Sequence, residues 1–294
     1  MTIDAAELTR RRASDPGAIA RAWAARVRAA RDDDGRLLLI AADHPARGAL
    51  GVRDRADAMA SRSDLLDRIA TALTRPGVDG VLATADILED LLLAGLLDGK
   101  VVIGSMNRGG LQGAAFELDD RFTGYDVATL AAHGLDGGKM LTRICLGDPG
   151  TATTLQACGA AVTDLSARGL LALVEPFLTE RAAPDRVVNL LDPDSVIRSI
   201  HVASGLGASS AHTWLKLPVV DDMPRVLDAT TLPTLLLGGD PTGAPDVTYA
   251  AWQAALECPQ AVGLVVGRAL LYPQDDDVAA AVDIAAHLVH GGSS

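Results

Sequence analysis

The chain has 294 residues, 49% of them hydrophobic, 3% aromatic, and a net charge of -12, so its core is built from Ala, Leu and Val. That acidity excludes nucleic acid as the expected partner, because neutralising a phosphate backbone requires a basic face. It still allows a small phosphorylated ligand in one local cationic pocket. Cys145, Cys158 and Cys258 form no CxxC pair, which argues against a zinc or disulfide framework and fits a reducing compartment.

The N-terminal segment carries Ser14-Asp15-Pro16, a cap followed by proline at a first helical position. The pattern predicts an amphipathic helix over 16–31 that ends in an Asp-rich turn. Arg10-Arg11-Arg12 precedes polar residues rather than a signal-peptide core, and no apolar stretch is long enough to span a bilayer. A cytoplasmic protein is expected, with no membrane contact.

After this extension (1–35) the chain alternates. Short apolar runs fall at 37–42, 78–83, 101–104, 139–145, 170–175, 212–219, 234–237 and 261–266. Most are apolar throughout, as expected when both faces of a parallel sheet are buried. Helical patterns separate them, beginning at Ser63 and Asp86 and then running near 126–133, 152–167, 194–204, 221–228, 246–257 and 276–289. Eight such units predict an α/β fold, a (β/α)8 TIM barrel with an extra N-terminal helix, in one domain over 1–294. An open Rossmann-like sheet is the alternative that periodicity leaves standing. Two long segments, 43–61 and 105–125, follow the first and third runs, and the second contains Arg108-Gly109-Gly110 and Gly124-Tyr125. In a barrel such loops build the catalytic face.

Only three of the 26 basic residues are lysines, and one of them, Lys216, lies inside the apolar run His212-Thr213-Trp214-Leu215-Lys216-Leu217-Pro218. Burial disfavours the ammonium form and lowers its pKa. A neutral amine near pH 7 can form a Schiff base with a carbonyl. A lysine that snorkels from a strand end, or merely pairs with a carboxylate, would look the same in sequence. Asp43 and Glu175 also follow apolar runs and precede loops, where a carboxyl group can act as general acid or base. Lys139 and Arg143 are four apart on the fourth run, so strand alternation points both to one face. If that face is the interior, Lys139 is a second cation able to depress the Lys216 pKa. It could equally be an ion-pair partner at the closed bottom of a barrel.

The seventh and eighth runs end in Gly238-Gly239-Asp240 and Gly267-Arg268. Phosphate sites in such barrels are often made there, by backbone N–H groups that glycine exposes, and Arg268 would add a forked donor. His44, His133, His201 and His212 show no metal-ligand spacing, so neither a metal nor another cofactor is assigned. Stabilising a carbanion beside a carbonyl then falls to an iminium, the product of a Schiff-base lysine.

With these residues assembled, the chain resembles the class I, Schiff-base aldolase superfamily of tagatose-bisphosphate and archaeal fructose-bisphosphate aldolases, in a branch associated with sugar or inositol catabolism. The stretches that carry the resemblance are Ala42-Asp43-His44-Pro45, Gly138-Lys139-Met140-Leu141, Leu173-Val174-Glu175-Pro176, Trp214-Leu215-Lys216-Leu217 and Val265-Val266-Gly267-Arg268-Ala269. It implies that Lys216 forms the Schiff base, Glu175 transfers protons, Asp43 orients hydroxyls or shuttles protons, and Lys139 is the second active-site lysine. It also implies that Gly238, Gly239, Gly267 and Arg268 hold a substrate phosphate. The implied reaction cleaves a phosphorylated ketose, or a keto-sugar acid such as a 2-deoxy-5-keto-gluconate 6-phosphate, to dihydroxyacetone phosphate and an aldehyde. In the sugar-acid case Arg143 would face the carboxylate. Aldolases of this kind commonly form homo-oligomers. The third run and its glycine-rich loop depart from the family's pattern, which leaves the substrate open. A deoxyribose-phosphate-type aldolase, a metal-dependent aldolase and a catalytically silent barrel that binds a sugar phosphate are the rival readings.

Overall fold

The computed structural model describes residues 2–30, 35–183, 186–239 and 243–291. Its strands are β1 (Leu37–Ala41), β2 (Gly80–Ala83), β3 (Val101–Ser105), β4 (Gly137–Ile144), β5 (Leu171–Ala183), β6 (Arg186–Asn189), β7 (Thr213–Pro218), β8 (Thr234–Leu237) and β9 (Ala261–Val266). Eight of them pair in parallel in the order β4-β3-β2-β1-β9-β8-β7-β5, and β4 pairs with β5 to close the ring. The fold is a (β/α)8 barrel, and the open-sheet alternative falls.

Strand alternation divides the interior from the wall. Leu39, Leu82, Ile103, Leu173, Leu235 and Val265 point inward and form an apolar plug. Their neighbours Leu38, Val81, Val102, Val174, Leu215 and Val266 belong to the outer core between the sheet and the helices. Full burial of such a side chain contributes about 1.5–3 kcal/mol.

The helices are α1 (Ala5–Ser14), α2 (Gly17–Ala25), α3 (Arg62–Leu73), α4 (Ala85–Leu93), α5 (Val127–Ala132) and α6 (Gly150–Ala167), followed by α7 (Pro193–Ser204), α8 (Met223–Asp228), α9 (Pro245–Leu256), the short α10 (Arg268–Leu271) and α11 (Val278–His290). Side-chain caps fix several starts, as where Ser61 accepts from the Asp64 N–H and Asp192 from the Ser195 N–H, the latter with Pro193 at the first helical position. No helix among the described residues is long and apolar enough to cross a membrane.

The N-terminal extension differs from its prediction. It holds two helices, and Ser14 ends the first, with Asp15 as its C-cap. The second stops at Ala25 rather than near 31, because the Arg26 backbone turns extended (φ -58°, ψ 130°). There the Arg26 side chain, on the rim of the barrel floor, donates to the Lys100 carbonyl at 3.0 Å and the Gly134 carbonyl at 2.6 Å. The Asp-rich turn at 31–34 lies outside the described residues. The fifth run is also longer than its apolar core: β5 continues to Ala183 and pairs with the antiparallel β6. That hairpin rises beside the mouth of the barrel.

Candidate active site

Above the plug, at the carboxyl ends of the strands, the interior changes from apolar to charged. On β5 Glu175 follows Leu173 on the same face. On β7 Lys216 occupies the inward position after Trp214. On β4 Lys139 pairs in register with Leu173 of the plug and with Ser105, and its Nζ reaches Glu175 rather than the barrel floor. Asp43 arrives from the end of β1, where it begins a 3-10 turn over His44–Arg47. Lys139 and Lys216 are each 3% exposed and Glu175 7%, and Asp43 is partly buried with its side chain 9% exposed.

The four form a chain. Lys139 Nζ lies 2.8 Å from Asp43 Oδ2 and 2.6 Å from Glu175 Oε2. Glu175 Oε1 lies 3.2 Å from Lys216 Nζ. Ser105 Oγ donates to Asp43 at 3.4 Å. Glu175 therefore bridges the two lysines, one carboxylate oxygen to each.

The lysines respond in opposite directions. Burial opposes the charge on Lys139, but Asp43 and Glu175 outweigh it and raise its pKa. Burial also opposes the charge on Lys216, and Lys139 adds to that effect; Glu175 and Asp43 resist without reversing it, so its pKa is lowered. Burial would raise the carboxyl groups, yet Lys139 and Lys216 hold both Asp43 and Glu175 below their ordinary range. The result is a fixed ammonium at 139, two carboxylates, and a lysine at 216 that gives up its proton more readily than an exposed lysine. This is the arrangement that activates an amine for attack on a carbonyl.

A cavity of about 680 Å³ opens onto this layer and reaches Lys216, Glu175, Gly238, Gly239, Gly267 and Arg268. Gly267 has a steric reason to be glycine, since a Cβ there would lie 2.4 Å from the Ala41 carbonyl oxygen. Asp240, the last residue of the seventh motif, lies outside the described residues. Arg143 also lines the cavity, where it donates to Glu117.

Three contributors were missed in the sequence. His44 lines the cavity, its Nδ1 3.8 Å from Asp43 Oδ1. Burial drives its pKa down to about 3, against Asp43 and with help from Arg268, so a neutral imidazole faces the cavity at neutral pH. Arg47 follows it on the same turn. Asn107 locks the long loop to β4, donating to the Leu141 carbonyl at 2.8 Å and accepting from the Leu141 N–H at 2.9 Å. The position of His44 and Arg47, one and four residues after Asp43, was the available signal; Asn107 carried none.

Comparison with known proteins adds a family and a fold. A family model described as Cgl0159-like matches residues 35–286. The crystal structure of Cgl0159 from Corynebacterium glutamicum (Brevibacterium flavum) is 54% identical, with 97% of this chain and 96% of that chain covered, at a TM-score of 0.94. An archaeal fructose-1,6-bisphosphate aldolase, seen with its catalytic lysine covalently bound to the carbinolamine intermediate of the substrate, is 19% identical over 92% of this chain and 99% of that one, at a TM-score of 0.62. A fructose-bisphosphate aldolase from Slackia heliotrinireducens is 14% identical over 99% and 94%, at 0.60. At these two identities the likeness is one of fold. No curated protein matches the chain.

Proposed function

The chain belongs to the Cgl0159-like family, and from that premise we propose that it is a class I, Schiff-base aldolase that cleaves a phosphorylated ketose or keto-sugar acid to dihydroxyacetone phosphate and an aldehyde. The observation that carries this reading is the buried Lys216, its pKa lowered by burial and by Lys139, with Glu175 3.2 Å away. The fold shared with fructose-bisphosphate aldolases supports it.

The chemistry follows from the layout. The neutral Lys216 amine adds to the ketone carbon, and the carbinolamine loses water to give an iminium. Two carboxylates and one fixed ammonium leave one negative charge in excess beside position 216, and Glu175 and Asp43 can offset the positive charge of the iminium. Glu175 takes the proton of the hydroxyl on the β carbon. The bond between the α and β carbons breaks, its electrons enter the iminium to form an enamine, and the aldehyde leaves. Protonation at the α carbon and attack by water release dihydroxyacetone phosphate and regenerate the amine. Asp43 holds Lys139 and shuttles protons. Gly238, Gly239, Gly267 and Arg268 grip the phosphate, which supplies remote binding energy for positioning. A 2-deoxy-5-keto-gluconate 6-phosphate is one substrate of this class.

The enamine gives a test that needs no aldehyde partner. Dihydroxyacetone phosphate incubated with the enzyme in D2O should exchange a hydrogen at its hydroxyl-bearing carbon, seen by proton NMR, and Lys216→Met should abolish the exchange. Absence of exchange in folded protein that binds the phosphate would replace this reading with a silent sugar-phosphate-binding barrel.

A further inference from the structure

The cavity has a second cationic end that the cleavage chemistry does not use. Glu117, on the loop between β3 and α5, is 3% exposed. It accepts from Arg143 Nη1, and the Gly113 N–H donates to its other oxygen at 3.0 Å. Arg47 Nη2 lies 3.7 Å from the same carboxylate. Gly110 makes this approach possible: its φ is +86° and a Cβ there would lie 2.1 Å from the Glu117 carbonyl oxygen.

One carboxylate is thus shared by two guanidinium groups, so these three groups together carry one net positive charge; the buried Asp120, whose carboxyl burial pushes up, is another acidic group near Arg47. The Nε–H groups of both Arg47 and Arg143 are buried and have no hydrogen-bond partner among the described residues. Buried charged donors left unspent are uncommon, and each calls for an explanation. Burial and the charge of Arg143 lower the Arg47 pKa to about 10, so Arg47 remains a cation at neutral pH. Both line the cavity that contains Lys216 and Gly267.

The strand order gives this end a position. Around the closed ring β4, which carries Arg143, is four strands from β9, which leads into Gly267 and Arg268, in either direction. Lys216 on β7 lies two strands from each. A substrate with its phosphate at the β8–β9 end and its ketone at Lys216 therefore extends its far end toward Arg143.

We propose that Arg47 and Arg143, held by Glu117, form a second anion subsite that takes a carboxylate on the substrate end far from the phosphate, making the substrate a phosphorylated keto acid. The placement of the ketone rests on the aldolase reading. A carboxylate fits because its single charge matches the single excess charge, and its two oxygens match a planar guanidinium fork. A phosphate, at about -1.5 to -2, exceeds that charge.

The test uses ligands that cannot form a Schiff base. Titration calorimetry on the wild type compares 6-phosphogluconate, sorbitol 6-phosphate and sorbitol 1,6-bisphosphate. The acid should bind on the order of tenfold more tightly than sorbitol 6-phosphate, as expected for a charge-assisted pair, and more tightly than the bisphosphate. Arg47→Gln, whose side chain is at the cavity wall, and Arg143→Gln should each reduce the advantage of the acid. Equal affinity for the acid and sorbitol 6-phosphate, or no measurable binding of the acid, overturns the subsite. Tighter binding of the bisphosphate overturns the carboxylate. The wild-type series decides the matter even if Arg143→Gln fails to fold. Hydrogen exchange into dihydroxyacetone phosphate separates the two proposals: exchange without acid preference sinks only the subsite, and acid preference without exchange sinks only the aldolase.

Discussion

Leu173 and Glu175 are two residues apart on β5 and face the same interior, and both are buried. Leu173 packs in the plug with Leu39, Ile103 and Leu235. Glu175 sits one layer higher between two lysines, 2.6 Å from one and 3.2 Å from the other. The plug is favourable by burial alone and makes no demand on charge. The layer above is favourable only while its charges remain balanced, because each ion has lost its water. The lower interior thus stabilises the barrel, and the upper interior uses that stability to hold charges where water would otherwise screen them. The same contrast separates the two lysines, since Lys139 has two carboxylates within 2.8 Å while Lys216 has one at 3.2 Å.

Substitutions in the plug and in the charged layer should have different consequences. The largest effect is expected from Lys216→Met, which should eliminate adduct formation with a ketone phosphate while leaving the protein folded, because Glu175 keeps Lys139 as its partner; intact mass and circular dichroism read the two arms. Lys139→Met should instead destabilise the fold by about 3–5 kcal/mol, since it leaves two buried carboxylates facing each other without their shared cation. Urea denaturation measures this, and a loss below 1 kcal/mol would mean that the layer is not held by charge balance. In the plug, Leu173→Ala should cost about 2–5 kcal/mol through the cavity it opens. The folded fraction should still form the adduct, so stability and chemistry separate between the two levels.

A smaller effect sharpens the contrast between the lysines. Addition to a ketone requires the neutral amine, so the adduct rate should rise with pH through the Lys216 pKa and level off above it. That pKa is lowered by burial and by Lys139, so the inflection should fall below the ordinary lysine value of about 10.4. An inflection at or above that value would contradict the activated amine. In whatever fraction of Lys139→Met folds, loss of the neighbouring positive charge should move the inflection upward.

Much of this was legible in the sequence, and the reasons differ by element. The eight barrel strands were readable because burial on both faces makes most of them apolar along nearly their whole length. Lys216, Glu175 and Asp43 stood out because each interrupts or ends such a run. Their mutual contacts were not readable, since β1, β4, β5 and β7 meet only through ring closure. Helix α1 was missed because only Leu8 of it is buried. It is tied down instead by Arg12, which pairs with Asp90 at 2.9 Å and Glu89 at 3.0 Å on α4, and that pairing leaves no apolar stripe. The β5–β6 hairpin was missed because its outer residues are polar and give no strand period. The Arg47–Glu117–Arg143 cluster joins three distant segments, and nothing local marks Glu117 as the shared partner.

Schiff-base chemistry in this barrel requires Lys216 to act as an amine nucleophile. The most direct measurement is borohydride trapping with dihydroxyacetone phosphate, read by intact mass and peptide mapping on the wild type and Lys216→Met. A reduced adduct on the peptide containing Lys216, absent from the variant, is the predicted result. An adduct on Lys139 or Lys100 instead, or none in protein that is folded and binds the phosphate, would contradict it.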